Sequence, residues 1–163
     1  MRRAQSILEK GFELAPVGRA GKGAYFWQYY GDPTLANELA IGWYKDQVRR
    51  KVYDEEDPTC AVIDASFEVD EEDAIDCTGD IQERVAIMLR KLANRTENDI
   101  SDAYDSIISK IEEKRGKPFL LARAYVSPPK ISFPDRQIVP YPSILVVRDL
   151  SVKMELKIVE TEE

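Results

Sequence analysis

The fold of this chain is decided by one stretch, Gly18-Arg19-Ala20-Gly21-Lys22-Gly23-Ala24-Tyr25-Phe26-Trp27. Three glycines at 18, 21 and 23 let the backbone take positive φ and approach a ligand closely. Arg19 and Lys22 place positive charge beside this turn, while Tyr25 and Trp27 share one face of the strand that follows because side chains alternate in a strand. A phosphate group and a flat ring would both fit such a place. A tight turn before a buried edge strand fits the same residues, since a glycine-rich loop alone is weakly diagnostic.

The residues on either side of this stretch predict two helices. Residues 3–10 have helical periodicity and are followed by Gly11, a typical helix stop. Downstream, the Asp-Pro pair at 32–33 predicts an N-cap followed by proline at the first helical position, with the helix continuing to about Lys51. Trp43 belongs to the apolar stripe of this helix, and we interpret it as a core residue.

The rest of the chain predicts strands around a helical hairpin. Five strands are predicted, over residues 23–29, 59–69, 119–126, 144–147 and 154–159. Residues 80–116 predict two amphipathic helices, with Asp80 as the cap of the first, which we expect to form an inserted hairpin packed on the sheet. Residues 134–142 predict an irregular loop and residues 160–163 a loose acidic tail. Helices and antiparallel strands alternate without regular βαβ units, so residues 1–163 are predicted to form a single α+β domain.

Composition and charge limit the possible functions. The chain has 163 residues, 44% hydrophobic and 33% charged, which is typical of a globular domain with a core of its own. Its net charge of −7 argues against a broad electrostatic contact with nucleic acid. The sequence contains no histidine, which excludes Ser-His-Asp triads, Cys-His pairs and histidine zinc sites.

Several other features point to a cytoplasmic protein without a metal site. No apolar run is long enough to cross a membrane, and the N-terminus lacks the pattern of a signal peptide. Cys60 and Cys77 have no metal-binding spacing, and we expect reduced thiols rather than a disulfide. The acidic runs at 54–57 and 70–73 lack the ligand spacing of a calcium loop and are predicted to be solvated.

Four segments of the chain resemble the ADP-ribosyltransferase superfamily, most closely its poly(ADP-ribose) polymerase-like branch and the small bacterial and phage members. They are residues 4–12 (AQSILEKGF), residues 21–26 (GKGAYF), Ala36-Asn37 at the head of a helix, and residues 144–150 (ILVVRDL). These segments occur in the family's order and near its spacing. The resemblance implies a split antiparallel sheet with flanking helices.

The same resemblance implies a site that binds NAD. It makes Tyr25 the catalytic stacking residue and places Ser143, or alternatively Ile144, where the family carries a glutamate or glutamine as its third catalytic residue. The implied cofactor-binding residues are Arg19, Gly21, Lys22, Gly23, Tyr25, Trp27, Asn37 and Glu38. The family's histidine lies on a strand before the segment at 4–12, and this sequence has no counterpart for it.

The resemblance therefore implies an NAD-binding transferase, of the kind that acts as a toxin or effector on a protein or nucleic-acid acceptor. Because two of the three catalytic positions lack the family's residues, we expect poor transfer by the chain as given. The alternative is an inactive interaction module that keeps the fold and binds a protein partner, for which the acidic surface would suit a basic partner. A third possibility is that the given sequence lacks a first strand that carries the histidine.

Overall fold

The computed structural model describes residues 2–52, 60–129 and 142–162, and within these ranges the chain forms an α+β fold. The helices are α1 (Arg2–Lys10), α2 (Thr34–Arg49), α3 (Asp80–Leu89) and α4 (Glu97–Arg115), and the strands are β1 (Ala24–Trp27), β2 (Cys60–Glu68), β3 (Ala74–Asp76), β4 (Leu121–Tyr125), β5 (Ser143–Val147) and β6 (Lys153–Glu162). None of the helices in the described ranges is long and apolar enough to cross a membrane.

The strands form two separate sheets. One has the order β1-β5-β4-β3, and β2 and β6 form an antiparallel ribbon beside it. β5 is antiparallel to both β1 and β4, but β3 runs parallel to β4, so the larger sheet is mixed rather than antiparallel throughout. Parallel neighbours require a long crossover connection. The helical hairpin of α3 and α4 supplies that connection, which explains its position between β3 and β4.

The hairpin packs on one face of the larger sheet and forms the main core with it. Tyr104, Ile107 and Ile108 of α4 are buried in this core, as the periodicity of the sequence predicts. The periodicity of the sequence predicts a buried stripe of Ile81, Val85, Met88, Leu89 and Leu92 in the first helix of the hairpin, and this prediction is only partly correct. Ile81, Val85 and Leu89 are buried, but Met88 is 43% exposed and Leu92 is 41% exposed, because α3 ends at Leu89 and buries a single narrow face.

The opposite face of the sheet carries a second, smaller apolar cluster. Its buried members are Ala24, Leu121, Val147 and Val152. Phe26 is only partly buried in this cluster, and its ring makes edge-to-face contacts with Phe12 and Phe67. The ribbon of β2 and β6 covers this side less completely than the hairpin covers the other.

Several predicted boundaries differ from the structure. Pro33 is the N-cap of α2, and Asp32 lies one residue earlier, where its Oδ1 accepts hydrogen bonds from the backbone and side chain of Thr34. Asp80 is likewise the first residue of α3, and Gly79 is its N-cap. The short strand β3 was not predicted, since three residues give too little periodicity to detect.

Two predicted loop segments are ordered by long-range contacts. The tail was expected to be loose, but residues 160–162 continue β6 and pair with residues 60–62 of β2. The acidic run at 70–73 forms a 3₁₀ turn, and Asp73 makes ion pairs with Arg115 and Lys117. The run at 54–57 and residues 134–141 of the predicted loop lie outside the described residues. Cys60 and Cys77 are buried thiols and do not form a disulfide.

Candidate functional site

The glycine-rich turn is held in place by α4. Asp105 of α4 accepts a hydrogen bond from the backbone N–H of Lys22 at 3.0 Å and pairs with Arg148 Nη1 at 2.9 Å. Ser101, one helical turn earlier, accepts a hydrogen bond from Gly18 N at 3.2 Å. Its hydroxyl in turn donates to Asp105 at 3.4 Å. One carboxylate thus ties the turn, the helix and the segment after β5 together.

The Tyr25 hydroxyl forms hydrogen bonds with the backbone of the same turn. It accepts a hydrogen bond from Ala20 N at 3.1 Å and donates to the carbonyl of Gly21. A Cβ added at Gly18 would lie 2.0 Å from the hydroxyl oxygen, so only glycine fits beside this ring. Burial raises the pKa of Tyr25 to about 12, and the charge of Asp105 acts in the same direction. The hydroxyl is therefore neutral and occupied by the turn itself.

Gly21 and Lys22 serve the turn rather than a ligand. Gly21 has φ 89°, and a Cβ there would lie 2.7 Å from Asp105 Oδ1. The Lys22 side chain is exposed, while its backbone N–H is bound to Asp105. Gly23 is buried and bridges Ala15 through two backbone hydrogen bonds. The contacts of these three residues match the tight turn that the sequence leaves open as an alternative.

A cavity of about 340 Å³ lies beside the turn, and we name it the aromatic cavity. The rings that line it are those of Phe12, Tyr25, Phe26, Trp27 and Trp43. Arg19 and Glu97 also line it. Glu13 is a second carboxylate in the lining, so several flat apolar faces lie next to one cation and two carboxylates.

Arg19 is positioned by three contacts at this cavity. Its guanidinium carbon lies 5.3 Å from the centroid of the Trp43 ring, a cation–π distance. Its Nη1 donates to the Ser127 carbonyl at 3.1 Å, and its Nε lies 3.6 Å from Glu97 Oε1. The Arg19 side chain is still 31% exposed, so it can also meet an anionic group at the surface.

Trp43 and Glu97 are site residues that the sequence does not identify as such. Trp43 lies two helical turns after Ala36 on the stripe that predicts burial, and the structure leaves it half-buried against the cavity. The one local feature that could have indicated a site residue is that a tryptophan occupies this position of the apolar stripe. Glu97 reaches the cavity because α4 packs beside the turn, and no local pattern indicates that placement.

The structure does not bring Ser143 and Tyr25 together. The Ser143 hydroxyl donates to Gln28 Oε1 at 2.9 Å, and the two residues also pair through their backbones, just after β1 ends and where β5 begins. Tyr25 lies opposite Val146 instead. Because paired residues share a face and neighbours alternate, Ser143 and Tyr25 point to opposite faces of the sheet.

A larger cavity of about 780 Å³ lies between the larger sheet and the ribbon, and we name it the inter-sheet cavity. Asn37 in the first turn of α2 lines it, together with Gln28. Glu38 is exposed and is not among the residues that line either cavity. Of the predicted cofactor-binding residues, Arg19 and Gly23 line the aromatic cavity, Asn37 lines the inter-sheet cavity, and Tyr25 and Trp27 line both, whereas Gly21, Lys22 and Glu38 line neither.

Comparison of the chain with protein-family models, with curated proteins and with solved structures gave no match in any of the three. The assignment of a ligand thus depends on the geometry of the cavities. The aromatic cavity lies at the small end of the range of about 300–1,000 Å³ that small-molecule sites occupy. Its rings and Arg19 place flat apolar faces beside a cation, an arrangement that suits a flat heterocycle with an anionic group attached.

Proposed function

We propose that this protein binds NAD and is an ADP-ribosyltransferase-like protein with little or no transfer activity. The observation that carries the proposal is the aromatic cavity, where Trp27, Trp43 and Arg19 meet beside the glycine-rich turn. The division of the strands into a four-stranded sheet and a separate ribbon agrees with the split sheet that the resemblance implies. The two lines of support are independent, because one is local and the other concerns topology.

The residues of the cavity have distinct roles in binding. Trp27 and Trp43 offer their ring faces to the nicotinamide. Stacking against these rings would bury the nicotinamide and exclude water from it. Arg19 pairs with a phosphate group in place of Glu97, since a phosphate accepts two parallel hydrogen bonds from a guanidinium. When bound, NAD supplies the ADP-ribosyl group and a nicotinamide that can leave.

The arrangement around Tyr25 and Ser143 favours loss of transfer. The Tyr25 hydroxyl is occupied by Ala20 and Gly21, and Ser143 lies on the other face of the sheet. The sequence also has no histidine to contact the ribose. Loss of one positioned electrostatic contact costs about 10²- to 10³-fold in rate. Two such losses leave little catalysis.

The test measures binding and transfer separately. We expect NAD to bind the purified chain in calorimetry, and the variant Trp43→Leu to weaken that binding. The control Tyr30→Leu removes an aromatic ring that is 75% exposed and lines neither cavity, and we expect it to bind normally. With labelled NAD and protein or RNA acceptors, we expect transfer near background. Robust transfer that Trp43→Leu abolishes would contradict the proposed inactivity.

A second candidate function is an interaction module that binds a basic protein. The net charge of −7 and the internally bonded Tyr25 hydroxyl favour it. An interaction module of this kind does not need NAD to bind in either cavity. Absence of NAD binding by a chain that still unfolds cooperatively would support it over the first.

A further inference from the structure

The inter-sheet cavity is an open cleft whose lining is partly apolar and partly polar. Phe26, Phe67 and Leu145 lie in the second cluster but are only partly buried, and all three line this cavity. Small side chains at Ala40 and Ala65 keep it wide. The cleft is therefore a space into which a flat apolar group can enter.

A fixed carboxylate lines the ribbon side of this cleft. Asp64 Oδ1 accepts a hydrogen bond from the Tyr29 hydroxyl at 3.0 Å, and Asp64 Oδ2 lies 3.1 Å from Lys157 Nζ. The side chain of Asp64 is 18% exposed, whereas that of Lys157 is 71% exposed. The hydrogen bond to Asp64 raises the pKa of both Tyr29 and Lys157, so the Lys157 ammonium is held beside the carboxylate in its charged form. An ionised carboxylate has about four acceptor positions, which leaves capacity for hydroxyl donors.

The two cavities meet at β1. Tyr25, Phe26 and Trp27 line both of them, so the four-residue strand separates one from the other. The aromatic cavity fits a flat ring with a phosphate beside it. A ligand with two ring-bearing ends can therefore place one end on each side of β1.

We infer that the inter-sheet cavity binds a nucleoside, the adenosine end of a dinucleotide that crosses β1. The apolar floor takes the base, and Asp64 accepts hydrogen bonds from the ribose hydroxyls. Asn37 offers an amide donor and acceptor to the base edge from the first turn of α2. This inference rests on the proposed NAD binding for the identity of the ligand, while the nucleoside site itself can be tested alone.

The test compares adenosine, nicotinamide mononucleotide and NAD in calorimetric titrations of the full chain. We expect Asp64→Asn to weaken the binding of adenosine and of NAD by about tenfold or more, because hydrogen bonds to a charged group are stronger than those to a neutral group. Binding of nicotinamide mononucleotide should not change. The control Asp80→Asn alters net charge equally at a 71% exposed carboxylate on α3 and should change none of the three.

A second variant covers the case in which Asp64→Asn perturbs the ribbon. Ala40→Phe fills the cavity from α2, and we expect it to abolish adenosine binding and to leave nicotinamide mononucleotide unaffected. The inference would be overturned, even if NAD binds, by an absence of adenosine binding to the parent chain. It would also be overturned if Ala40→Phe and Asp64→Asn both bind adenosine as tightly as the parent chain does. Binding of adenosine without NAD or nicotinamide mononucleotide would instead overturn the proposed function and keep the nucleoside site.

Discussion

Asp105 is the residue on which the geometry of the turn depends. It accepts from Lys22 N, from the Ser101 hydroxyl and from Arg148, whose side chain is only 3% exposed. Arg148 Nε has no hydrogen-bond partner among the described residues and lies 4.0 Å from Glu112 Oε1. Asp105 is thus the main compensation for a buried guanidinium as well as the anchor of the turn.

Replacing Asp105 should therefore destabilise the fold. We expect Asp105→Asn to lower the free energy of unfolding by about 2–4 kcal/mol, because the buried Arg148 guanidinium then keeps only the more distant Glu112 carboxylate. Urea unfolding measures this change. Asp102→Asn, on an exposed position of the same helix, should change the free energy of unfolding by less than about 0.5 kcal/mol. Equal effects of the two variants would show that the Asp105 network does not stabilise the turn.

At the residue scale, sequence reasoning identifies the local part of the site and misses the long-range part. Alternation correctly places Tyr25 and Trp27 on one face, against the main core. Asp105 and Glu97 come to the turn from α4, about 80 residues away along the chain, and one acidic residue among many in a helix gives no signal of such a contact. The prediction that Ser143 lies in the same site as Tyr25 is wrong for a different reason. A change of register by a single residue moves a side chain to the other face of the sheet.

Among the elements, α4 contributes most to both core and site. It begins with a capping box between Thr96 and Asp99 and ends at Gly116, whose φ of 78° is typical of a helix C-cap. One face of the helix is buried on the sheet, and Ser101 and Asp105 reach the turn from its side. Its position in the core determines where the turn can be.

A charge in the buried face of α4 should unfold the protein. Ile107 is 8% exposed, so Ile107→Asp places an unpaired carboxylate in an apolar contact and should cost several kcal/mol. Ile87→Asp on α3 is the matched control, because Ile87 is 50% exposed. In thermal melts we expect a large fall in Tm for the first variant and little change for the second. An unchanged melt for Ile107→Asp would mean that this face of α4 is solvated.

The elements with clear periodicity are the ones that the sequence predicts well. α4 has a long amphipathic repeat, and both its existence and its buried face agree with prediction. β3 is too short to carry a pattern, and its parallel pairing with β4 depends on the hairpin that joins them. The polar tail at 160–162 continues β6 because β2 provides a partner along its whole length, which local composition does not indicate.

At the scale of the whole molecule, the sheet and the hairpin bury ionisable groups in their neutral form. Burial raises the pKa of Tyr25, Tyr104 and Cys77, each to about 12, from ordinary values of 10.0 for tyrosine and 9.0 for cysteine. The folded chain therefore keeps these protons at pH values where the unfolded chain releases them. Stability from the two tyrosines is fully present below pH 10 and is lost as the pH rises to about 12.

Alkaline unfolding tests this linkage. We expect the free energy of unfolding to fall steeply above pH 9, first through Cys77 and then through the tyrosines. Tyr104→Phe should reduce the loss between pH 10 and 12 by about 2 kcal/mol, since one pKa unit corresponds to about 1.4 kcal/mol. Tyr30→Phe, at a ring that is 75% exposed, is the matched control. Identical profiles for the parent and Tyr104→Phe would place Tyr104 in water rather than in the core.

The most direct test of NAD binding uses the two tryptophans, Trp27 and Trp43, which both line the aromatic cavity. Of the two, Trp43 lines the aromatic cavity only, whereas Trp27 lines the inter-sheet cavity as well, so the Trp43 part of the emission is the one that reports on the aromatic cavity. Titration with nicotinamide mononucleotide and NAD should give saturable quenching, and Trp43→Phe should remove most of it while the fold is kept. Emission that stays constant to millimolar NAD, or quenching of equal size in the urea-unfolded chain, would contradict a nicotinamide site in the aromatic cavity.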